Sequence, residues 1–163
     1  MKRHAGLIPL SHDHHDGLVI AQRLLQGASK SPQVSWPSRP QEQRDRVLDF
    51  YRDHLRHHFA AEEEIVFPLA RRHLAAESEL VGRLEQEHRQ LRRGLEEMKE
   101  QTSGLGPALK QWAGLLRDHI RSEERELFQL MQSHVPEDEL AACRGQVEAL
   151  YARRGRSQES CPL

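Results

Sequence analysis

Apolar residues recur at helical spacing along nearly the whole chain, and the pattern predicts four long helices and one short one. Ser11 reads as the N-cap of the first, about 11–28, whose stripe is Leu18, Ala21 and Leu25 with Leu24 to one side. The ten residues before it read as an extended arm, and Gly27 helps to end the helix. Pro32, Pro37 and Pro40 with several serines predict a long crossing loop over 29–40, anchored by Trp36. The second helix runs from about 41 to 73 with Val47, Phe50 or Tyr51, His54, His58, Glu62, Ile65 and Leu69 inward. Pro68 lies inside it and predicts a bend, because proline removes a backbone donor while Leu69 and Leu74 keep the period.

The third helix, about 77–101, carries Leu80, Leu84, His88, Leu91, Leu95 and Met98 at alternating steps of four and three. A Gly- and Pro-bearing loop at 102–107 leads to the fourth, about 107–134, with Leu109, Trp112, Leu116, His119, Glu123, Leu127 and Leu130 inward. A short helix from Pro136 to about Arg153 and a Gly/Ser-bearing tail complete the chain. The fold class expected is all-α: an antiparallel up-down four-helix bundle over 8–134, a short C-terminal helix packed on it over 135–155, and a flexible tail over 156–163.

Polar residues inside these stripes change the picture. His14, His58, His88 and His119 supply one histidine per long helix, and Glu62 and Glu123 each follow a histidine by one turn on the same face. Burying such groups unpaired is costly, so they need a common purpose. Imidazoles and carboxylates converging from facing helices make a metal site, and this donor set suits iron, manganese or zinc better than calcium or magnesium. A carboxylate also bridges two ions and offsets their charge. One lone histidine on an apolar face is more often a hydrogen-bonded core residue; four, with a duplicated His-x-x-x-Glu step, are not independent accidents. His12 or His15 replaces His14 if the first helix takes another register, and His54 is placed to support the site. His57 and His73 read as surface groups, as do Glu63, Glu64, Glu87, Asp118 and Glu124.

Composition removes other classes. The chain has 163 residues, which suits one domain, and its formal net charge of −1 gives no basic excess for nucleic acid. Cys143 and Cys161 form no disulfide framework or metal-type spacing. The first residues hold no apolar signal core, and no stretch is long and apolar enough to span a membrane, so a cytoplasmic setting is expected. No nucleophilic triad and no phosphate-cradling glycine loop are present.

The run His58-Phe-Ala-Ala-Glu62-Glu-Glu-Ile-Val-Phe67-Pro68, its second copy His119-Ile-Arg-Ser-Glu123 with Leu127-Phe128, the pair Glu87-His88 and the opening Leu10-Ser-His-Asp-His14-His15 resemble the hemerythrin-like, or HHE cation-binding, family. Gln129 stands where the second copy often has proline. The resemblance covers about 8–132 and implies a non-haem di-iron centre in an up-down four-helix bundle. It implies His14, His58, Glu62, His88, His119 and Glu123 as ligands, both glutamates bridging. Oxygen-carrying hemerythrins have a further histidine one turn from the first in the third helix; here Leu84 and Arg92 flank His88 at that distance. One iron is then left with an open position, for solvent or a neighbour such as His54, which argues against simple oxygen carriage. Ferritin-like proteins, which use Glu-x-x-His steps, are disfavoured. The expected function is a metal-binding protein that binds, senses or processes oxygen, nitric oxide or peroxide, or that handles iron. The alternatives are an iron donor repairing iron–sulfur clusters, whose relatives carry an extra cysteine-bearing domain not seen in these residues, an oxidase-type di-iron enzyme, and a structural or zinc-binding bundle.

Overall fold

The computed structural model describes residues 2–26 and 36–155, and among them the chain is helical with no strand. Five helices follow in order: α1 (Ile8–Gln26), α2 (40–73), α3 (Ser78–Glu100), α4 (105–134) and α5 (Glu137–Arg153). The crossing loop before Trp36, Gly27 and the tail after 155 lie outside the described residues. Trp36 itself is buried, with the Arg23 guanidinium 5.6 Å above its ring.

The N-terminal arm is not extended as expected. A 3-10 turn, Ala5–Leu7, leads directly into α1 and is capped by His4, whose Nδ1 accepts from the Gly6 amide at 3.0 Å. Ser11 is therefore inside the helix, and its hydroxyl donates to Glu124 instead of capping. Pro9 is tolerated because it sits in the first turn of α1, where amide hydrogens have no intrahelical partner. The buried face of α1 is Leu10, His14, Gly17, Ile20, Ala21 and Leu24, so Leu18 and Leu25 are displaced to its flanks.

Along α3 every inward position expected from the spacing is buried. On α2 and α4 most expected positions are buried, Leu69 and Leu127 among them, and a few depart for a local cause. The stretches Tyr51–Leu55, Glu62–Val66 and Glu123–Leu127 are π-helical. A π turn takes up one residue more than an α turn and shifts the side chains next to it around the helix. Val66 thus replaces Ile65 on the buried face, Met131 replaces Leu130, and Leu55 is buried where His54 is half-exposed. The widening also disposes of Pro68, which falls in the first positions of the α segment Phe67–His73, so the helix continues through it.

Apolar side chains collect in two clusters. One holds Leu10, Phe67, Leu84, Leu127, Phe128 and Met131 with the buried face of α5; the other holds Ile20, Phe59, Leu91, Leu95, Trp112 and Leu116. Burying one such side chain is worth about 1.5–3 kcal/mol, so the two clusters supply the stability that tolerates a polar layer between them. α1 packs most extensively on α4, and α3 also lies along α4. α5 rests on the Ala5–Leu7 turn, on α1 and on the middle of α2. Its seat is close: a Cβ on Gly6 would stand 1.9 Å from the Leu140 carbonyl oxygen, so only glycine fits there.

Candidate metal centre

Six polar side chains are buried where the apolar clusters meet. His14 is 2 % exposed, His58 and His119 1 %, and His88, Glu62 and Glu123 0 %. They arrive from four helices: His14 from α1, His58 and Glu62 from α2, His88 from α3, and His119 and Glu123 from α4. Both glutamates open a π turn, with the Phe67 and Phe128 amides donating to the Glu62 and Glu123 carbonyls. The distortion thus begins at the residue that enters the site, a common place for it.

Glu62 is central. Its Oε1 lies 3.1 Å from His58 Nε2 and 3.4 Å from His14 Nε2, while its Oε2 lies 3.2 Å from His88 Nε2. Oε2 of Glu123 lies 3.1 Å from His14 Nε2 and 3.3 Å from His119 Nε2. Two groups with convergent ligand atoms result: His14, His58, Glu62 and Glu123, and Glu62, His88, His119 and Glu123. They share both carboxylates. Despite these short separations, Nε2 of His14, His88 and His119 and all four carboxylate oxygens have no hydrogen-bond partner. Buried polar atoms without partners cost free energy, and a cation between them is the simplest remedy. The donor set therefore fits a pair of divalent ions.

The opposite ring nitrogens are all engaged. Asp13 faces His58 Nδ1 at 3.2 Å, and Glu63 faces His88 Nδ1, Glu87 His119 Nδ1 and Glu124 His14 Nδ1, each at 2.8 Å. With a carboxylate accepting at Nδ1, the neutral imidazole keeps its proton there and presents the Nε2 lone pair inward. Each carboxylate serves a histidine on the next helix. Asp13 links α1 to α2, Glu63 links α2 to α3, Glu87 links α3 to α4, and Glu124 closes the ring from α4 to α1.

Further groups steady this ring. Arg92 grips Glu63 with two hydrogen bonds of 2.7 and 3.0 Å, and its guanidinium lies 5.3 Å from the Phe59 ring, which stacks on His88 at 3.9 Å. Arg3 repeats the arrangement. It pairs with Glu124 and lies 5.0 Å from the Phe128 ring, which stacks on His14 at 5.4 Å. Arg83 donates to Glu87 at 3.3 Å, and the Tyr151 hydroxyl donates to Asp13 at 2.6 Å.

The electrostatics follow from this packing. Burial opposes charge on His14, yet Glu123, Glu124 and Glu62 raise it well above the ordinary imidazole value. His58 is raised by Glu62 and Asp13 against the same burial, and His88 is pushed up to about 9 by Glu62 and Glu63. Burial resists ionisation of Glu62, but His58, His14 and His88 hold it well below the usual carboxylate range. Glu63 and Glu124 are likewise brought down to about 2, against burial, by His88 with Arg92 and by His14 with Ser11. Without metal, protons and charges hold the site together.

All six residues singled out from the sequence are brought together, with His14 in place of His12 or His15. His54 stands apart, stacked on Phe50 at 5.6 Å, and belongs to neither ligand group. Four surface assignments are corrected. Glu63, Glu87 and Glu124 turn inward to the histidines, and His57 is only 3 % exposed. Asp118 and Glu64 do pair at the surface, with Arg117 and Arg154. Asp13 was not anticipated at all. A signal was there: each outer carboxylate is the sequence neighbour of a site residue, but its partner is on another helix.

A comparison with protein families matches residues 7–131 to the Hemerythrin HHE cation binding domain. The chain belongs to this family. No curated protein and no solved structure matches it. The family's cation-binding character accords with the buried His/Glu cluster, and both point to metal binding. Among the described residues, no helix is long and apolar enough to cross a membrane.

Proposed function

We propose that this hemerythrin-like chain holds a non-haem di-iron centre, with His14, His58, His88 and His119 as nitrogen ligands and Glu62 and Glu123 bridging the two ions. In this reading the helices form an antiparallel up-down four-helix bundle over 8–134, with α5 packed on it. The observation that carries it is the sharing of both buried glutamates by the two ligand groups. One ion would leave two imidazoles unused; two ions use every inward nitrogen.

With two imidazoles and a share of two carboxylates to hold each ion, the residues present would leave room for solvent or a small ligand. On α3, the positions one turn from His88 are the buried apolar Leu84 and Arg92, which is committed to Glu63. The Phe59 and Phe67 rings lie against His88 and the Phe128 ring against His14, an apolar surround that suits a small neutral ligand: oxygen, nitric oxide or peroxide, bound, sensed or processed. Iron held by these residues would supply exchangeable electrons and a Lewis-acidic face for that ligand. The protein orients the imidazoles, offsets charge through the two glutamates and keeps the site dry.

The test is metal quantification on protein purified without an affinity tag, with optical spectra before and after exposure to oxygen and to nitric oxide. Two irons per chain and a ligand-dependent spectrum are expected. Less than one metal per chain sinks the metal reading. Two zincs that resist replacement by iron sink the iron assignment, and an iron spectrum indifferent to both gases sinks the small-ligand reading.

A further inference from the structure

The family match begins at residue 7 and ends at 131, yet groups on both sides of it reach the site. Arg3 lies before it and donates to the Glu124 side chain and, at 3.0 Å, to the Glu124 carbonyl. Tyr151 lies after it, on α5, and donates to Asp13. Their carboxylates face His14 and His58. These two histidines belong to one ligand group. The other group, His88 and His119, is backed by Arg92 and Arg83, both on α3 and inside the matched core.

The two terminal segments also hold each other. The His4 ring meets Glu137 at 2.9 Å, and the His4 amide donates to Gln132 at 2.9 Å. Gly6 lies against the Leu140 carbonyl, and Arg154 at the far end of α5 pairs with Glu64 at 2.6 Å. Neither Arg3 nor Tyr151 arrives by chance of a loose tail.

We propose that the N-terminal segment and α5 form a clamp that sets metal affinity at the His14–His58 position separately from the His88–His119 position, with Arg3 and Tyr151 as its positioning residues. The inference rests on the two-metal reading. An outer carboxylate fixes the tautomer and aim of its histidine, and loss of such a partner typically costs 10–100-fold in metal affinity. Arg3 fixes Glu124 and Tyr151 fixes Asp13, so their removal loosens one position and leaves the other, which the core maintains. The two positions are chemically alike at the ligand atoms and differ in what stands behind them.

The experiment titrates the metal-free full chain with Co²⁺ alone, reads the optical bands, and follows release of each equivalent to a chelator. The variants are Tyr151→Phe, Arg3→Gln, their combination, Arg92→Gln, and Arg92→Gln with Tyr151→Phe. Tyr151→Phe and Arg3→Gln should each weaken the same equivalent about 10-fold, and their combination should weaken it further with the other within twofold. Arg92→Gln should weaken the other equivalent, and its combination with Tyr151→Phe should weaken both. Leu150→Ala, which disturbs α5 packing but keeps the phenol, separates positioning from folding. Leu150→Ala should lower the melting temperature of the metal-free protein and weaken the same equivalent, whereas Tyr151→Phe should weaken it with the melting temperature nearly unchanged. If the Tyr151→Phe loss comes only with a comparable fall in melting temperature, the phenol has no positioning part and the proposal fails. It also fails if Tyr151→Phe and Arg3→Gln act on different equivalents, on both equally, or on neither. A wild-type chain that never takes two Co²⁺ overturns the two-metal reading itself, and this proposal with it.

Discussion

Glu124 on α4 accepts from His14 on α1 at 2.8 Å, and this one contact closes a ring of four carboxylate–histidine pairs around the helices. The ring makes the outer carboxylates equivalent in purpose, and Glu87 tests that most cleanly because it sits beside His88 but serves His119. Glu87→Gln keeps the shape and removes the charge. It should weaken metal binding by about 10–100-fold, with the loss at the equivalent held by His119. Isothermal titration against wild type is the check, and unchanged affinity would remove the ring from the function.

The central glutamates should behave differently from any histidine. Glu62 faces His58 through one oxygen and His88 through the other, so Glu62→Gln weakens both positions. His58→Ala removes a ligand from one. Metal counting should therefore give close to one metal for His58→Ala and close to none for Glu62→Gln, under conditions where wild type holds two. Equal losses in the two variants would contradict the bridging assignment.

Protons and metal compete for the same nitrogens, which gives opposite pH dependences to the two states. In the metal-free protein His14, His58 and His88 are raised above the ordinary value of 6.5. Their stabilising contribution is fully present below that value and is lost as pH rises through the His88 value of about 9. Metal binding needs neutral imidazoles, so affinity should fall as pH is lowered from about 9. At a free metal concentration of 100 times Kd, binding at one site adds about 2.7 kcal/mol of stability. Melting curves with and without metal between pH 6 and 9.5 should diverge as pH rises. A parallel pair of curves would mean that the histidines do not titrate against the metal.

How far the sequence disclosed this site depends on the helix. Position for position, α3 matched its expected face, because nothing interrupts its α period. On α2 and α4 the ligands were legible, since His58 and Glu62, like His119 and Glu123, lie one α turn apart before the π turn begins. Beyond it single positions depart, Ile65 and Leu130, while Leu69 and Leu127 stay on the buried face, because a single added residue per turn leaves no mark in an apolar pattern. Glu63, Glu87 and Glu124 were misjudged for another reason. They lie off the stripe of their own helices, and off-stripe carboxylates are usually solvated; only the neighbouring helix gives them a buried partner. The Gly6 seat for α5 was equally invisible, since it joins residues more than a hundred positions apart.

That seat yields a stability prediction. Gly6→Ala forces the added methyl to within 1.9 Å of the Leu140 carbonyl, which is backbone and has no rotamer to change. Either α5 or the Ala5–Leu7 turn must shift, at a cost of about 1–3 kcal/mol by analogy with overpacked cores. Denaturant unfolding of the metal-free variant should show a lower midpoint with an unchanged slope. Stability equal to wild type would mean that α5 is not seated there.

Cys143 should be inert in the folded protein. It is 0 % exposed among Leu140, Val147 and Leu150 on the inner face of α5, and burial pushes its thiol up to about 11. At pH 8 only about one thiol in a thousand would be ionised even with access, and the thiolate is the reactive form. Labelling with iodoacetamide, read peptide by peptide, should leave Cys143 unmodified in the native state and modify it fully in guanidinium. Intermediate labelling that rises in Gly6→Ala would report α5 lifting from the helices it packs on, and the same experiment on Tyr151→Phe should show no rise, because that change removes one hydroxyl and leaves the apolar seat intact. Rapid native labelling of wild type would show that α5 is not held against the core.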